Sequence, residues 1–426
     1  MRVAHDEAAG TQDSVCNVWK NGTPAAWHSR NNGSASSSVI AAVSLGGSGC
    51  TRLILAVRAG SLAGRKFGAT TMKFGWLTLG LSPSPGEDAG RIEEQIALAC
   101  AAEALGFSDV WLTEHYFTGE SVYNDALMFA AALAMRTSRV RIGFAVIQMP
   151  FHHPVRLAVQ LALLDNLSRG RIDVGIGKGS VYNEYEFVGH GLRSDDSRAR
   201  MEEAIEVLGR AWRETPLVYE GAYFSLRVPE IRPRPVQLPG PPLWRSVISP
   251  GSFAECGRLG IPILTARLPV ERIRERWALY AAGLAEGGHD PRVREALLAQ
   301  AALWRNVYVA ESDAQAEDEL AVLLTRTRAH MMHVRHALNP VDFRIDPVML
   351  NPWTDPAVSD ADAIPYVLAT GSLFGSVARV REQVAELRDA GVRHLLCQTG
   401  FGDMGYAQNL ASMRRFGEQV MPVFQT

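Results

Sequence analysis

The sequence predicts an α/β protein: a parallel (β/α)8 TIM barrel with insertions, preceded by a disordered N-terminal extension. Three observations lead there. Short apolar runs occur eight times, at 73–80, 107–112, 140–147, 171–176, 243–248, 261–265, 303–309 and 393–397. Amphipathic helical stretches separate most of them, and strand–helix alternation of that count closes into a barrel ringed by helices. Residues 1–71 lack this rhythm and contain "NNGSASSS" and "GGSG", small polar segments of low complexity. A doubly wound open sheet is the rival. It uses fewer strands, and its first strand–helix turn usually carries a glycine fingerprint, which is absent after "FGWLTLG".

The elements follow in order. "MKFGWLTLG" starts abruptly with strand character, so the boundary is set at 1–71 and 72–426, the first part being an extension or the product of a misassigned start codon. In "EEQIALACAAEALGF", Ile96, Ala99, Cys100 and Glu103 keep helical spacing, and Gly106 closes the helix. The next strand, "VWLTEHYF", ends by delivering Glu114, His115, Tyr116 and Phe117 together. A core strand needs no such tip, whereas the carboxyl end of a barrel strand is where active sites are built. "GFAVIQMPFHHP" is the third strand, with His153 before Pro154 starting the following helix. The fourth passes into the glycine turn "VGIGKGS". Met201, Ile205, Leu208 and Trp212 then form one helical apolar stripe. Residues 214–242 interrupt the rhythm with a hairpin around Gly221 and a proline-rich run. Residues 328–371, with "NPVDFRIDPVMLNPWTDP", interrupt it again and are long enough to fold over the active face as a lid.

Composition narrows the function. Hydrophobic residues make up 47% of the 426, charged residues 21%, and the formal net charge is −2, which offers no basic face to nucleic acid. The five cysteines, at 16, 50, 100, 256 and 397, have no zinc-like spacing, and their odd number argues against a disulfide framework. No run reaches the roughly 18 apolar residues of a membrane span, so a cytoplasmic location without membrane partner is expected. Lysine is rare, at 20, 66, 73 and 178 only, so a lysine inside a glycine turn stands out.

Four places could carry chemistry. His115, with an ordinary pKa near neutrality, could donate or accept a proton at the barrel mouth, or merely bond a loop carbonyl. Glu114 beside it could orient a neighbour or form an ion pair. Lys178 adds a cation where glycines let backbone approach a ligand, although a surface lysine in a tight turn reads the same way. Ser249, Gly251 and Ser252 start a helix, whose free N–H groups and dipole suit phosphate, or the serines simply cap it. His152 and His153 with Glu114 invite a metal, but no ligand spacing supports one. Phe117, Phe144, Met149 and Phe151 fit either an apolar pocket or the core.

With these residues placed, the chain resembles the bacterial luciferase-like flavin monooxygenases. "MKFG", "GFSDVWLTEHYF", "HPVRLAVQLALLDNLSRGRIDVGIGKG" and "ASMRRFGEQVMPVF" match the family in order over about 350 residues. The resemblance implies an eight-stranded barrel enzyme, often dimeric, that oxygenates a small organic substrate with reduced FMN and dioxygen through a flavin C4a-peroxide. It implies a separate flavin reductase as transient partner and a homodimer. His115 matches the histidine beside the flavin, Lys178 the basic residue on its phosphate, Ser249 and Ser252 the phosphate-binding hydroxyls, and Ala145–Val146 a non-proline cis peptide beneath the ring. Tyr116, Gly177 and Ile248 replace a histidine, a cysteine and a glutamate, which puts luciferase-like substrate chemistry in doubt and removes a reactive thiol. Two alternatives stay open: a deazaflavin-dependent hydride-transferring oxidoreductase, and a non-catalytic partner subunit.

Overall fold

The computed structural model describes residues 71–425, without the side chain of Val348. The extension expected over residues 1–71 therefore lies outside the described residues, Thr71 aside. From the N-terminus the chain runs through β1 (Lys73–Thr78), α1 (Asp88–Ala104), β2 (Asp109–Leu112), α2 (Ala126–Arg136), β3 (Arg141–Gln148), α3 (Pro154–Leu167), β4 (Ile172–Gly177), α4 (Glu184–Gly189) and α5 (Ser197–Ala211). Then come the hairpin β5 (Leu217–Glu220) and β6 (Ser225–Val228), β7 (Leu243–Ser246), α6 (Pro250–Leu259), β8 (Ile263–Ala266), α7 (Val270–Glu286), α8 (Pro291–Gln300) and β9 (Ala302–Val309). The chain ends with α9 (Asp313–Leu338), α10 (Asp360–Gly371), β10 (Ser372–Gly375), α11 (Val377–Asp389), β11 (His394–Gln398) and α12 (Tyr406–Arg415).

Eight of these strands, the eight expected from the apolar runs, pair in parallel in the order β9-β11-β1-β2-β3-β4-β7-β8, and β8 pairs back to β9 to close the barrel. β10 was not foreseen. Its short "SLFG" run directly follows a helix, and it pairs only with the far half of β9, from Asn306 to Val309. The hairpin turns at Gly221, where the Glu203 carboxylate accepts from the backbone N–H groups of Ala222, Tyr223 and Phe224. Gly106 has φ +89° just past α1, as a closing glycine should.

Side chains fill the barrel in layers. Leu77, Trp111, Trp244, Leu264, Ala302 and Leu396 form one buried cluster inside it, with Ala145, Val146 and Trp304 packed against them. Gly143 makes room for Trp111: a Cβ there would lie 2.4 Å from the indole. Below this layer, at the amino ends of the strands, sits a buried ionic floor. The Asp109 carboxylate, on β2, pairs with Lys73 of β1 at 2.6 Å and with His394 of β11 at 2.9 Å, and accepts from Trp111 Nε1 at 2.6 Å. Burial alone opposes the charge on Asp109. His394 and Lys73 outweigh it and hold the carboxyl well below its ordinary range.

The interruption at 328–371 begins inside α9 and does reach the carboxyl face. Asn339 donates to the Tyr182 carbonyl at 3.0 Å and accepts from Tyr185 N at 3.1 Å, while Tyr182 Oη donates to the Met349 carbonyl at 2.7 Å. Tyr182 and Tyr185 follow β4, so this segment is tied over the barrel mouth.

Candidate active site

Strand order decides which candidate residues meet. His115, the Ala145–Val146 pair, Lys178 and Ser249 come from β2, β3, β4 and β7, four neighbouring strands, at or near their carboxyl ends. They form one arc on the mouth of the barrel.

The Glu114 carboxylate is spent. One oxygen accepts from Tyr116 Oη at 2.6 Å and pairs with His152 Nε2 at 2.7 Å, and the other accepts from Gln148 N at 2.6 Å. Its backbone carbonyl accepts from Gln148 Nε2 at 2.7 Å. Three donors thus meet the two oxygens of this buried carboxylate. In this arrangement Glu114 fastens the end of β2 to the end of β3. It fills both roles foreseen for it, orienting neighbours and pairing with a histidine. His152 is that partner, whereas the His153 ring meets Phe224 edge-on at 5.8 Å, so the three groups of the metal reading do not converge. His153 instead stands at the start of α3, with Pro154 at the helix's first position.

His115 is held differently. Its Nδ1 lies 3.1 Å from Glu186 Oε1, a wholly buried carboxylate, and its Nε2 lies 3.9 Å from Glu120 Oε1, beyond hydrogen-bond reach. Burial alone would lower the imidazole's pKa. Glu120 and Glu186 reverse that and raise it to about 9, with Arg335 pulling slightly the other way. The near-neutral pKa expected from the residue type is thus overturned. At neutral pH His115 is an imidazolium whose Nε2–H is free to donate. Glu186 also accepts from Tyr116 N at 3.1 Å and from Gln148 Nε2 at 3.2 Å, and His115 first among these neighbours holds its pKa down against burial.

Ala145 and Val146 are joined by a cis peptide. The β3–β4 register shifts between Phe144 and Ile147, and this pair alone is half-buried in a strand that is otherwise buried past Arg141. The irregularity turns the two residues toward the mouth. Lys178 is exposed and has no hydrogen-bond or ion-pair partner among the described residues. Gly179 follows it at φ +94°, a conformation open to glycine and strained for other residues. Ser249 caps α6, its hydroxyl accepting weakly from Ser252 N at 3.4 Å and lying 2.8 Å from Ser252 Oγ. The capping reading is realised, yet one of the two hydroxyl hydrogens and the exposed Gly251 N–H remain free. An unpaired cation just past β4 and free donors just past the adjacent β7 together match the charge and donor set of a phosphate.

Of the four apolar candidates, Phe144 and Met149 are core, and Phe117 is 58% exposed. Phe151 belongs to a ring cluster beside the site, stacked on His190 at 4.5 Å and edge-on to Tyr116 at 5.6 Å. Sequence reasoning missed Glu120, Gln148, Glu186, Arg267 and Arg335. Only "YNEYEF", two acids among aromatics just after the glycine turn, carried a signal that could have found Glu186.

Comparison with known proteins bears on the family and the fold. The family model for luciferase-like monooxygenases matches residues 72–394. The chain is 24% identical over 338 residues to the oxygenase component of flavin-dependent trigonelline monooxygenase from Acinetobacter baylyi, covering 78% of this chain and 89% of that one. A solved monooxygenase from Streptomyces bottropensis superposes with a TM-score of 0.69 at 27% identity, covering 83% of this chain and all of that one. The oxygenating constituent of 3,6-diketocamphane monooxygenase from Pseudomonas putida, solved with FMN, shares the fold with a TM-score of 0.65 at 19% identity, covering 83% of this chain and 98% of that one. No described helix is long and apolar enough to cross a membrane. With the family's model matched along nearly the whole barrel, the chain belongs to the luciferase-like monooxygenases.

Proposed function

We propose that this oxidoreductase is the oxygenase of a two-component system, using reduced FMN and dioxygen to place one oxygen atom on a small organic substrate. The observation that carries it is the arc on four adjacent strands: an unpaired Lys178 with the α6 start at one end, an imidazolium at the other, and the Ala145–Val146 pair between. FMN when bound supplies the activation of dioxygen. Lys178, Ser249, Gly251 and Ser252 would hold its phosphate. His115 donates a proton or hydrogen bond from Nε2. Glu186 and Glu120 keep that proton in place, and Glu114 holds the strand end that presents it. The segment around Asn339 and Met349 excludes water. Reduced flavin comes from a separate reductase, a reading supported by relatives named as an oxygenase component and an oxygenating constituent. A homodimer fits the exposed Met128 and Met135 on α2 beside Val159, Leu163 and Leu167 on α3, and light scattering at twice the chain mass checks it.

The test has two arms. Reduced FMN, labelled dioxygen and a substrate panel should yield products carrying one labelled oxygen. Turnover with a reduced deazaflavin and no uptake of label would replace this reading by hydride transfer. In the second arm, Lys178→Ala removes a charge-assisted bond worth roughly 1.5–3 kcal/mol, so FMN affinity should fall about tenfold or more. Riboflavin, which lacks the phosphate, should bind both forms alike. Equal weakening of riboflavin and FMN would take Lys178 out of the phosphate site.

A further inference from the structure

The mouth holds two guanidinium groups that the reading above does not use. Arg267 follows β8, and β8 lies four strands from β2 in a ring of eight, so the two face each other across the barrel axis. The Arg267 guanidinium lies over the Trp304 ring at 4.3 Å and near Trp353 at 6.0 Å. Its side chain donates to no acceptor among the described residues, and its Nε is buried without a partner. Arg335, on α9 in the covering segment, lies over the Tyr182 ring at 4.7 Å and donates from Nε to Asn183 Oδ1 at 3.2 Å, but its Nη1 is buried without a partner. Neither arginine has a carboxylate within ion-pair distance among the described residues. A third buried arginine, Arg305, shows the contrast: its Nη2 and Nη1 donate to the carbonyls of Leu268 and Trp304.

The two groups share one space. Burial lowers the pKa of both, that of Arg267 to about 10, and each next feels the opposing charge of Glu120, the loop carboxylate near His115. Tyr182 acts on both, Tyr185 and Glu186 also on Arg335, and the two arginines repel each other. Around Arg267 and Arg335 the groups that act on one another are three cations, these two and His115, and two carboxylates, Glu120 and Glu186, of which Glu186 is engaged by His115, Tyr116 and Gln148. Desolvated guanidiniums with idle N–H groups are costly, and a bound carboxylate supplies both the missing charge and acceptors in the matching planar geometry.

We propose that Arg267 and Arg335 bind the carboxylate of the substrate, and that the substrate class is a small planar organic acid whose apolar body lies against Trp304, Trp353 and Tyr182. This rests on the reading of the mouth as the oxygenation site. It places the acid group over the barrel axis, opposite the strand that carries His115 and apart from the Lys178–Ser249 rim.

The test is calorimetric titration of the full chain, without flavin, with benzoate and with its neutral counterpart benzamide. Benzoate should bind more tightly. Arg267→Gln and Arg335→Gln should each weaken it about tenfold or more, while benzamide, FMN affinity and melting temperature hold. If a glutamine variant does not fold, Arg267→Lys, which keeps charge but loses the planar fork, decides: weaker benzoate with unchanged FMN supports the site, and unchanged benzoate overturns it. Equal binding of benzoate and benzamide, or a parallel loss of FMN showing that the arginines serve the cofactor's phosphate, overturns it as well. A wild-type chain that takes benzoate but not FMN removes the flavin reading and leaves this one standing. One that takes FMN but not benzoate does the reverse.

Discussion

His115→Ala is expected to leave a folded chain that still binds FMN and forms product roughly 10²–10⁴-fold more slowly. The residues proposed to hold the phosphate, Lys178 after β4 and Ser249 to Ser252 after β7, share no hydrogen bond or ion pair with His115 among the described residues, so cofactor affinity should hold. What is lost is the Nε2–H at the mouth. The consumed oxygen should then leave as hydrogen peroxide instead of entering product, and the ratio of product to oxygen consumed measures this directly. The raised pKa sets a second readout. Wild-type coupling should persist through neutral pH and fall as pH rises through about 9, where the imidazolium is lost. Glu186→Gln or Glu120→Gln, each removing one of the charges that hold the proton, should move that fall toward neutrality. Stability carries the same signature. A pKa raised from about 6.5 in the unfolded chain stabilises fully below that value and loses its effect as pH rises to about 9. The melting-temperature gap between wild type and His115→Ala should therefore be widest near pH 6 and close by pH 10. An unchanged product-to-oxygen ratio in His115→Ala would return this histidine to a structural role.

Asp109→Asn is expected to be the most destabilising single change at the barrel floor. It leaves Lys73 and His394 facing a neutral amide in a closed interior. Breaking a buried ionic pair by removing one partner costs about 3–5 kcal/mol, enough to lower the melting temperature by roughly 5–10 °C. The sign of the pH dependence is opposite to that of His115. Asp109 is depressed on folding, so its contribution is present above the unfolded carboxyl value, about 4, and fades as pH falls through the folded one. Calorimetry at pH 7 and at pH 3 should show the difference between wild type and variant shrinking in acid. A melting temperature within 1–2 °C of wild type at pH 7, less than about 1 kcal/mol of change, would show that the floor is not held by this charge.

How much of this was legible differs by element. The eight barrel strands were, because a strand buried on both faces reads as an apolar run whatever surrounds it. β10 was not: four residues continuing from a helix carry no period of their own. Of the site, His115, Lys178 and the Ser249–Ser252 turn could be singled out because each sits where a strand ends, and a strand end is visible in sequence. Glu114 was noticed for the same reason, but its type and position say nothing about the three donors arriving from Gln148, Tyr116 and His152.

The sequence by itself determined the (β/α)8 alternation, the carboxyl-end positions of the candidate residues and the family resemblance, all properties of local order along the chain. Only the tertiary structure decided the charge state of the mouth. Glu186 lies 71 residues from His115, and Arg335 lies 68 residues beyond Arg267. A pKa depends on which charges stand within a few ångströms and on how little water lies between them. Both are set when eight strands close and the segment after β9 folds over them, so the imidazolium at His115 and the idle guanidiniums above it exist only in the folded chain.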